Sequence, residues 1–458
     1  MNSWLSNVWQ KLQASFWLVP ALMALLSVGL ATASTAVDNA VGDWLAESGW
    51  FWGGEPAGAR EMLTTIAGSM ITVTGVTFSI VMVALTLAAS QFGPRLLRSF
   101  MRDRGNQVVL GTFVSTFLFC LLVLRVVRDG GPDLFVPHLS ITIALALALA
   151  SIGVLIYFIH HVAVSLQAEN LAAAIAVEFR GIVRSVFPQE LSDAPPESAS
   201  GAELPADFDQ RSRSVPAPHS GYIQTVQTES LVALARERDL VLQLHCSPGG
   251  FAIPGQVLLR AWPTERCDDR LLDELADKFV IGRHRTPTQD ASYPMNQLGS
   301  IAVRALSPGI NDPFTAHTCI DWLSEGLAEV SRRHIPSPFM FDSEGGLRLV
   351  APPTTFEHLA AVAFDQIRDF GADHASVVRR LLESIAAVAC SAVREDDRRV
   401  LERHADWILE AARRATHQPH QLREIEQLHQ RALAVLHPRA ATGGLAPVST
   451  ATRPAQKP

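Results

Sequence analysis

Four stretches of the chain carry no charged residue: 12–37, 62–94, 105–124 and 134–168. Each is long enough for an α-helix to cross a bilayer, which takes roughly 20 mostly apolar residues. The pattern predicts membrane helices over about 14–35, 62–90, 107–127 and 139–164. The first also carries a signal-peptide-like Ala31-Thr32-Ala33, but three further spans follow it. After the fourth span the apolar residues fall at helical spacing to about Phe187, so a helical extension completes a transmembrane domain over 1–187. Residues 188–218 are rich in Pro, Ser, Ala and acidic groups and predict a flexible linker.

The pattern then changes period. Strands are predicted at Gly221–Val226, Asp239–His245 and Val257–Trp262, with a helix at Glu229–Arg238 and turns at Pro248-Gly249-Gly250 and Pro254-Gly255. These make a small β-rich domain over 219–264. Its glycine-rich hairpin is similar to that of lipoyl- or biotinyl-type carriers, but no lysine stands between Lys11 and Lys278, so a carrier role is excluded. A helical domain over 265–438 follows, with helices near 268–279, 293–306, 313–334, 355–369, 373–393, 395–415 and 418–436. A disordered tail is expected over 439–458. The fold class is a mainly α membrane protein: four transmembrane helices, then a cytoplasmic α+β region.

Three patterns carry chemistry. In the second span Thr65, Thr72, Ser79 and Thr86 recur every seven residues, and Gly68, Gly75, Met82 and Ala89 follow three positions behind each. They form one narrow stripe of small and hydroxylated side chains. Such stripes most often serve as tight helix–helix seams; the sharper reading is a hydroxyl-lined path for ions or a small solute. Between spans two and three, Arg95, Arg98, Arg102 and Arg104 alternate with apolar residues, as in a short basic helix lying on anionic lipid or in an ordinary basic loop. Third, Arg304 to Ala316 reads as a helix, a tight turn and a helix start. Pro308-Gly309 stops the first helix, Asp312 caps the second, Pro313 opens it and Thr315 sits in its first turn. Free N–H groups at such a start can hold an anion. Arg285, Asp290, Arg304, Ser307, Gly309, Asn311, Asp312 and Thr315 are therefore a candidate ligand or anion turn if the fold gathers them, and otherwise a capped turn holding two helices. His317 and Asp321 have metal-ligand spacing but no third partner.

Charge settles orientation more than activity. Seven lysines and arginines (Lys11; Arg95, Arg98, Arg102, Arg104; Arg180, Arg184) flank the spans on one side, against Arg60, Arg125 and Arg128 on the other. The excess predicts a multi-pass protein with both termini in the cytoplasm. An acidic loop over 36–61 with Asp38, Asp43, Glu47 and Glu55 then lies outside. Only 18% of residues are charged, the net charge is −7, and no basic field argues for nucleic acid. Five scattered cysteines read as reduced thiols. No nucleophile elbow, zinc helix, phosphate loop, dinucleotide fingerprint or paired-cysteine array is present, so no catalytic residue, cofactor or metal is expected.

The SPGINDPFTA run, with Arg285-Thr286, Gln289-Asp290 and the segment from Gln91 to Phe113, resembles bacterial membrane proteins grouped as domain of unknown function 2254. The resemblance covers about Ser15 to His437 and implies an integral protein of the bacterial inner membrane, with no activity attached. Its partners are expected to be the lipid bilayer, anionic lipid and further copies of itself. Three functions remain open: an oligomeric channel or permeation protein gated by its cytoplasmic domain, a membrane-anchored sensor or scaffold that binds at the SPGINDPFTA turn, and, last, a membrane enzyme.

Overall fold

The computed structural model describes residues 17–47, 52, 54–92, 104–128, 135–165, 167–188, 191, 203–415 and 418–437. The chain divides into two compact units, Met1–Leu171 and Ala172–Pro458.

The first unit holds α1 (Leu18–Glu47), α2 (Pro56–Phe92), α3 (Arg104–Leu124) and α4 (His138–Ser165). All four are long and apolar enough to cross a membrane. α3 packs against each of the other three, and half of its apolar stretch is buried against 22% for the others. Small side chains explain its central place. A Cβ at Gly111 would stand 2.5 Å from Met23 Sδ and 3.3 Å from Pro20 Cα, so α1 crosses there at close range. Phe113 and Phe119, both fully buried, anchor two apolar layers: one with Met70 and Phe158, the other with Leu63 and Ile141. Thr116 and Ser151 place their hydroxyls 3.2 Å apart between α3 and α4.

α1 runs to Glu47 with a bend at Val41 (φ −135°, ψ 19°), so Asp38 lies inside a helix rather than in the expected loop. The expected extension of span four is also revised. α4 stops at Ser165, and α5 (Ala168–Val186) is a separate helix that from Ala172 belongs to the second unit. Asn170 marks the break, donating to Val164 O and Gln167 Oε1.

The second unit continues with β1 (Arg213–Pro216), β2 (Gly221–Val226), α6 (Thr228–Glu237), β3 (Val241–Leu244), β4 (Phe251–Ala252), β5 (Val257–Trp262), α7 (Asp269–Ala276) and β6 (Phe279–Gly282). Then come α8 (Ser292–Ala305), α9 (Pro313–Ser331), β7 (Phe339–Phe341), β8 (Leu347–Val350), α10 (Phe356–Gly371), α11 (Ala375–Ala389), α12 (Glu395–Arg414) and α13 (Pro419–Leu436). One sheet has the order β1-β5-β3-β8-β7, with β3 and β8 parallel; the other has the order β4-β2-β6. Leu242, Leu258, Leu259 and Leu349 fill the core beneath them with Leu231 of α6.

The β region is thus wider than 219–264. Its first strand, paired with β5, lies in the stretch expected as linker, where Phe208 and Val215 are buried. The β7–β8 hairpin lies inside the stretch expected to be helical. These strands are three or four residues long, too short for alternation to register. The helices of the C-terminal half fall where their 3.6-residue spacing placed them. The tail over 439–458 lies outside the described residues.

Candidate functional site

The SPGINDPFTA turn joins α8 to α9. Ser307 Oγ donates to Arg304 O at 2.6 Å, and the N–H groups of Ile310 and Asn311 donate to Ser307 O. Asn311 takes a left-handed φ of +49°, tolerable for asparagine. Asp312 N then reaches back to Ala305 O at 2.8 Å. Asp312 Oδ1 accepts from Phe314 N (3.1 Å) and Thr315 N (3.2 Å), while Thr315 Oγ1 donates to Oδ2 at 2.5 Å. The first-turn amides thus already face a carboxylate of the chain itself. A second anion would meet that negative charge at short range, so the capped-turn reading fits the geometry and the anion-site reading does not.

The fold also separates the residues proposed to converge. Arg285 and Asp290 stand at the start of α8, and Arg304 and Asp312 at its end. Fourteen residues separate the two ends, about 20 Å along the axis. Asp290 is buried; its Oδ2 accepts from Arg285 Nε (2.8 Å) and Nη2 (2.6 Å). Tyr293 N donates to the Asp290 backbone carbonyl at 3.2 Å. Burial pushes the Asp290 carboxyl up, while Arg285 and the Ser292 and Tyr293 amides oppose that shift. The glycine turn before β4 presses on the pair: Gly249 has φ +88°, and a Cβ there would lie 2.2 Å from Asp290 Oδ2. Gln289 completes the seam with bonds in both directions to the backbone of Val226. The Arg285–Asp290 pair therefore joins α8 to the sheets.

The α2 stripe faces outward. Thr65, Gly68, Thr72, Gly75, Ser79 and Thr86 are all exposed on the surface of the unit. A Cβ at Gly68 or Gly75 would meet nothing within 4 Å. Among the described residues of the first unit, no other helix covers the stripe. Thr72, Ser79 and Thr86 donate to the carbonyls of Gly68, Gly75 and Met82 on their own helix at 2.8–2.9 Å. Beside the stripe, an open groove of about 770 Å³ is lined by Thr72, Gly75, Ser79, Val83 and, from α4, Val162. Arg104 is exposed at the start of α3; Arg95, Arg98 and Arg102 lie outside the described residues.

One polar cluster was not foreseen. Asp38 is 1% exposed, and its carboxylate accepts from Leu139 N (2.7 Å), Ser140 N (3.0 Å) and Ser140 Oγ (2.6 Å). Ser34 Oγ stands 2.8 Å from Ser140 Oγ. Nearby, Thr142 Oγ1 accepts from Trp52 N, and Arg60 Nη2 donates to Val127 O. Asp38 thus caps α4 from α1. The available sequence signal was an acid one turn beyond Ser34, at the edge of an apolar run.

Asp321, paired in sequence with His317, is held instead by Arg380, whose Nε and Nη2 each stand 2.6 Å from its carboxylate oxygens. Burial, helped by Arg380, holds the His317 imidazole below its usual range. Among the described residues no group of three His, Cys, Asp or Glu side chains is placed to hold a metal ion.

The family model described as "Predicted membrane protein (DUF2254)" matches residues 13–387. Uncharacterized protein Rv1290c of Mycobacterium tuberculosis is 32% identical over 412 residues, covering 88% of this chain and 77% of its own. Uncharacterized protein Mb1321c of Mycobacterium bovis matches at the same identity and coverage. No solved structure matches the chain.

Proposed function

We propose, from the premise that this chain belongs to the family of predicted membrane proteins designated DUF2254, that it is an oligomeric channel or permeation protein. In this reading it sits in the bacterial inner membrane with both termini in the cytoplasm, and the second unit gates it. The positive-inside excess of arginine supports the orientation. Anionic lipid at the inner leaflet meets Arg104 and the basic residues before it.

One observation carries the proposal: among the described residues of its unit, nothing covers the hydroxyl and glycine stripe of α2, which faces outward. From Thr65 to Thr86 it extends about 32 Å at 1.5 Å per residue, close to the roughly 30 Å hydrocarbon thickness. Small residues let neighbouring copies approach closely, and hydroxyls can bond across such contacts. Copies arranged about a common axis would bring their stripes together through the full depth of the bilayer. Thr72→Cys and Ser79→Cys variants should therefore cross-link between chains in native membranes, while Leu149→Cys and Ile156→Cys on the exposed side of α4 should not. Liposomes holding the protein should pass small solutes or ions faster than empty ones. Absence of both effects would overturn the proposal.

A second reading, a membrane-anchored scaffold, is favoured by a different observation. Phe314, Phe370 and Ile310 are 78%, 64% and 42% exposed around the α8–α9 turn. Apolar side chains left open beside a rigid turn suit a docking partner. An enzyme ranks last, because Asp290 and Asp312 stand at opposite ends of α8 and frame no common cavity.

A further inference from the structure

α9 and α11 run side by side in the same direction. Asp321 meets Arg380, Ser324 meets Ser384 and Arg332 meets Ser391, a nearly constant offset along the two helices. Small side chains at Ala328 and Ala387 leave an open cleft of about 340 Å³ between them. That volume lies in the range that small-molecule sites occupy.

The polar groups of this cleft are unevenly matched. Arg380 is fully engaged, with both bonds to Asp321 and a third to Glu383 at 3.2 Å. The buried hydroxyls of Ser324 and Ser384 bond to each other at the floor. Arg332 lines the cleft, and its guanidinium bonds to Ser391 Oγ at 2.9 Å; among the described residues it has no carboxylate partner. Glu325 also lines the cleft and is 39% exposed. Its nearest cation, Arg180 Nη1, is 3.6 Å from Oε1, beyond hydrogen-bond reach. Its Oε2 is buried without a hydrogen-bond partner. Burial, with Glu329, pushes this carboxyl up, while Arg180 and, more weakly, Arg332 oppose that shift. A carboxylate without a hydrogen-bonded cation and an arginine without a paired acid, which act on each other only through space, thus share one face of α9. They are seven residues apart, about 10 Å along the axis.

We propose that the α9–α11 cleft binds a small zwitterion of amino-acid size, its ammonium on Glu325 beside the Ser324–Ser384 pair and its carboxylate on Arg332. A singly charged molecule satisfies one end and leaves the other unmatched. An arginine fork suits a carboxylate, and an ammonium suits an acid short of donors. This inference stands apart from the channel reading, because it concerns ligand binding to the second unit and needs no flux.

The test is isothermal titration of the full-length protein in detergent with glycine, 4-aminobutanoate and 6-aminohexanoate, and with butylamine and butanoate as singly charged controls. At least one of the three zwitterions should bind with Kd on the order of 1 mM or tighter, and both controls about tenfold more weakly. Glu325→Gln and Arg332→Gln should each weaken binding about tenfold at an unchanged melting temperature. Ala387→Leu, which fills the cleft without touching a charge, should abolish it. No binding by any zwitterion, equal binding by the controls, or retention of affinity in Ala387→Leu would overturn the proposal.

Discussion

Asp38 and Asp290 pose the same problem in two settings. Both are nearly fully buried, and both stand beside the first turn of a helix. Asp290 stands two residues before α8 and leans on Arg285 at 2.6 Å. Asp38 caps a helix from another part of the chain, held by two amides and a serine hydroxyl. The second unit thus answers a buried charge with a countercharge, and the apolar bundle answers it with aligned dipoles. Burying a full ion pair would add a second desolvation cost, whereas the amides of α4 must be buried or capped in any case. A helix start is therefore the cheaper partner where the surroundings are apolar.

That contrast can be broken experimentally. The largest effect is expected for Asp38→Ala, which strands two amides and a hydroxyl between α1 and α4. Unfolding in mixed detergent micelles should show a loss of about 4 kcal/mol, from two or more bonds to a charged group. Gly249→Ala should follow at about 3 kcal/mol, because φ is positive and the new methyl displaces the Asp290 carboxylate from Arg285. Thermal melting of the full chain reads that loss.

Asp290→Asn sharpens the comparison through pH. The carboxyl titrates above its ordinary value in the folded protein. Its contribution is therefore fully present below the unfolded value and is lost as pH rises through the folded one. The stability of the native protein relative to the asparagine variant should consequently rise as pH is lowered from 7 to 4; a flat difference would contradict the assignment. The smallest effect is expected for Asp312→Ala, about 1 kcal/mol, because its amides lie near solvent and can turn to water.

Much of this architecture was legible in the residues. Pro308-Gly309, Asp312 and Pro313 place the end of α8 and the start of α9 within a residue or two, since each acts through local backbone geometry. β2 and β5 match their expected bounds because each is six residues long and is bounded by clear turns. Arg285 and Asp290 were both singled out in the sequence, but their supposed convergence with Asp312 ignored the length of the helix between them. The stripe was visible as a pattern, yet periodicity says which residues share a face and not what that face meets. Asp38 was hidden for a different reason: its donors lie 101 and 102 residues away, and no local rule reaches that far.

That distance has a consequence for biosynthesis. The carboxylate of Asp38 leaves the ribosome about a hundred residues ahead of the amides that will receive it. At 5–20 residues per second, roughly 5–20 seconds pass before α4 is complete enough to accept it. During that interval water and lipid headgroups are its available partners, so the Asp38 end of α1 must wait at the interface. Final seating of the first helix is thus timed by synthesis of the fourth, and a nascent chain cut short before Leu139 would leave its first span shallow and open to extraction.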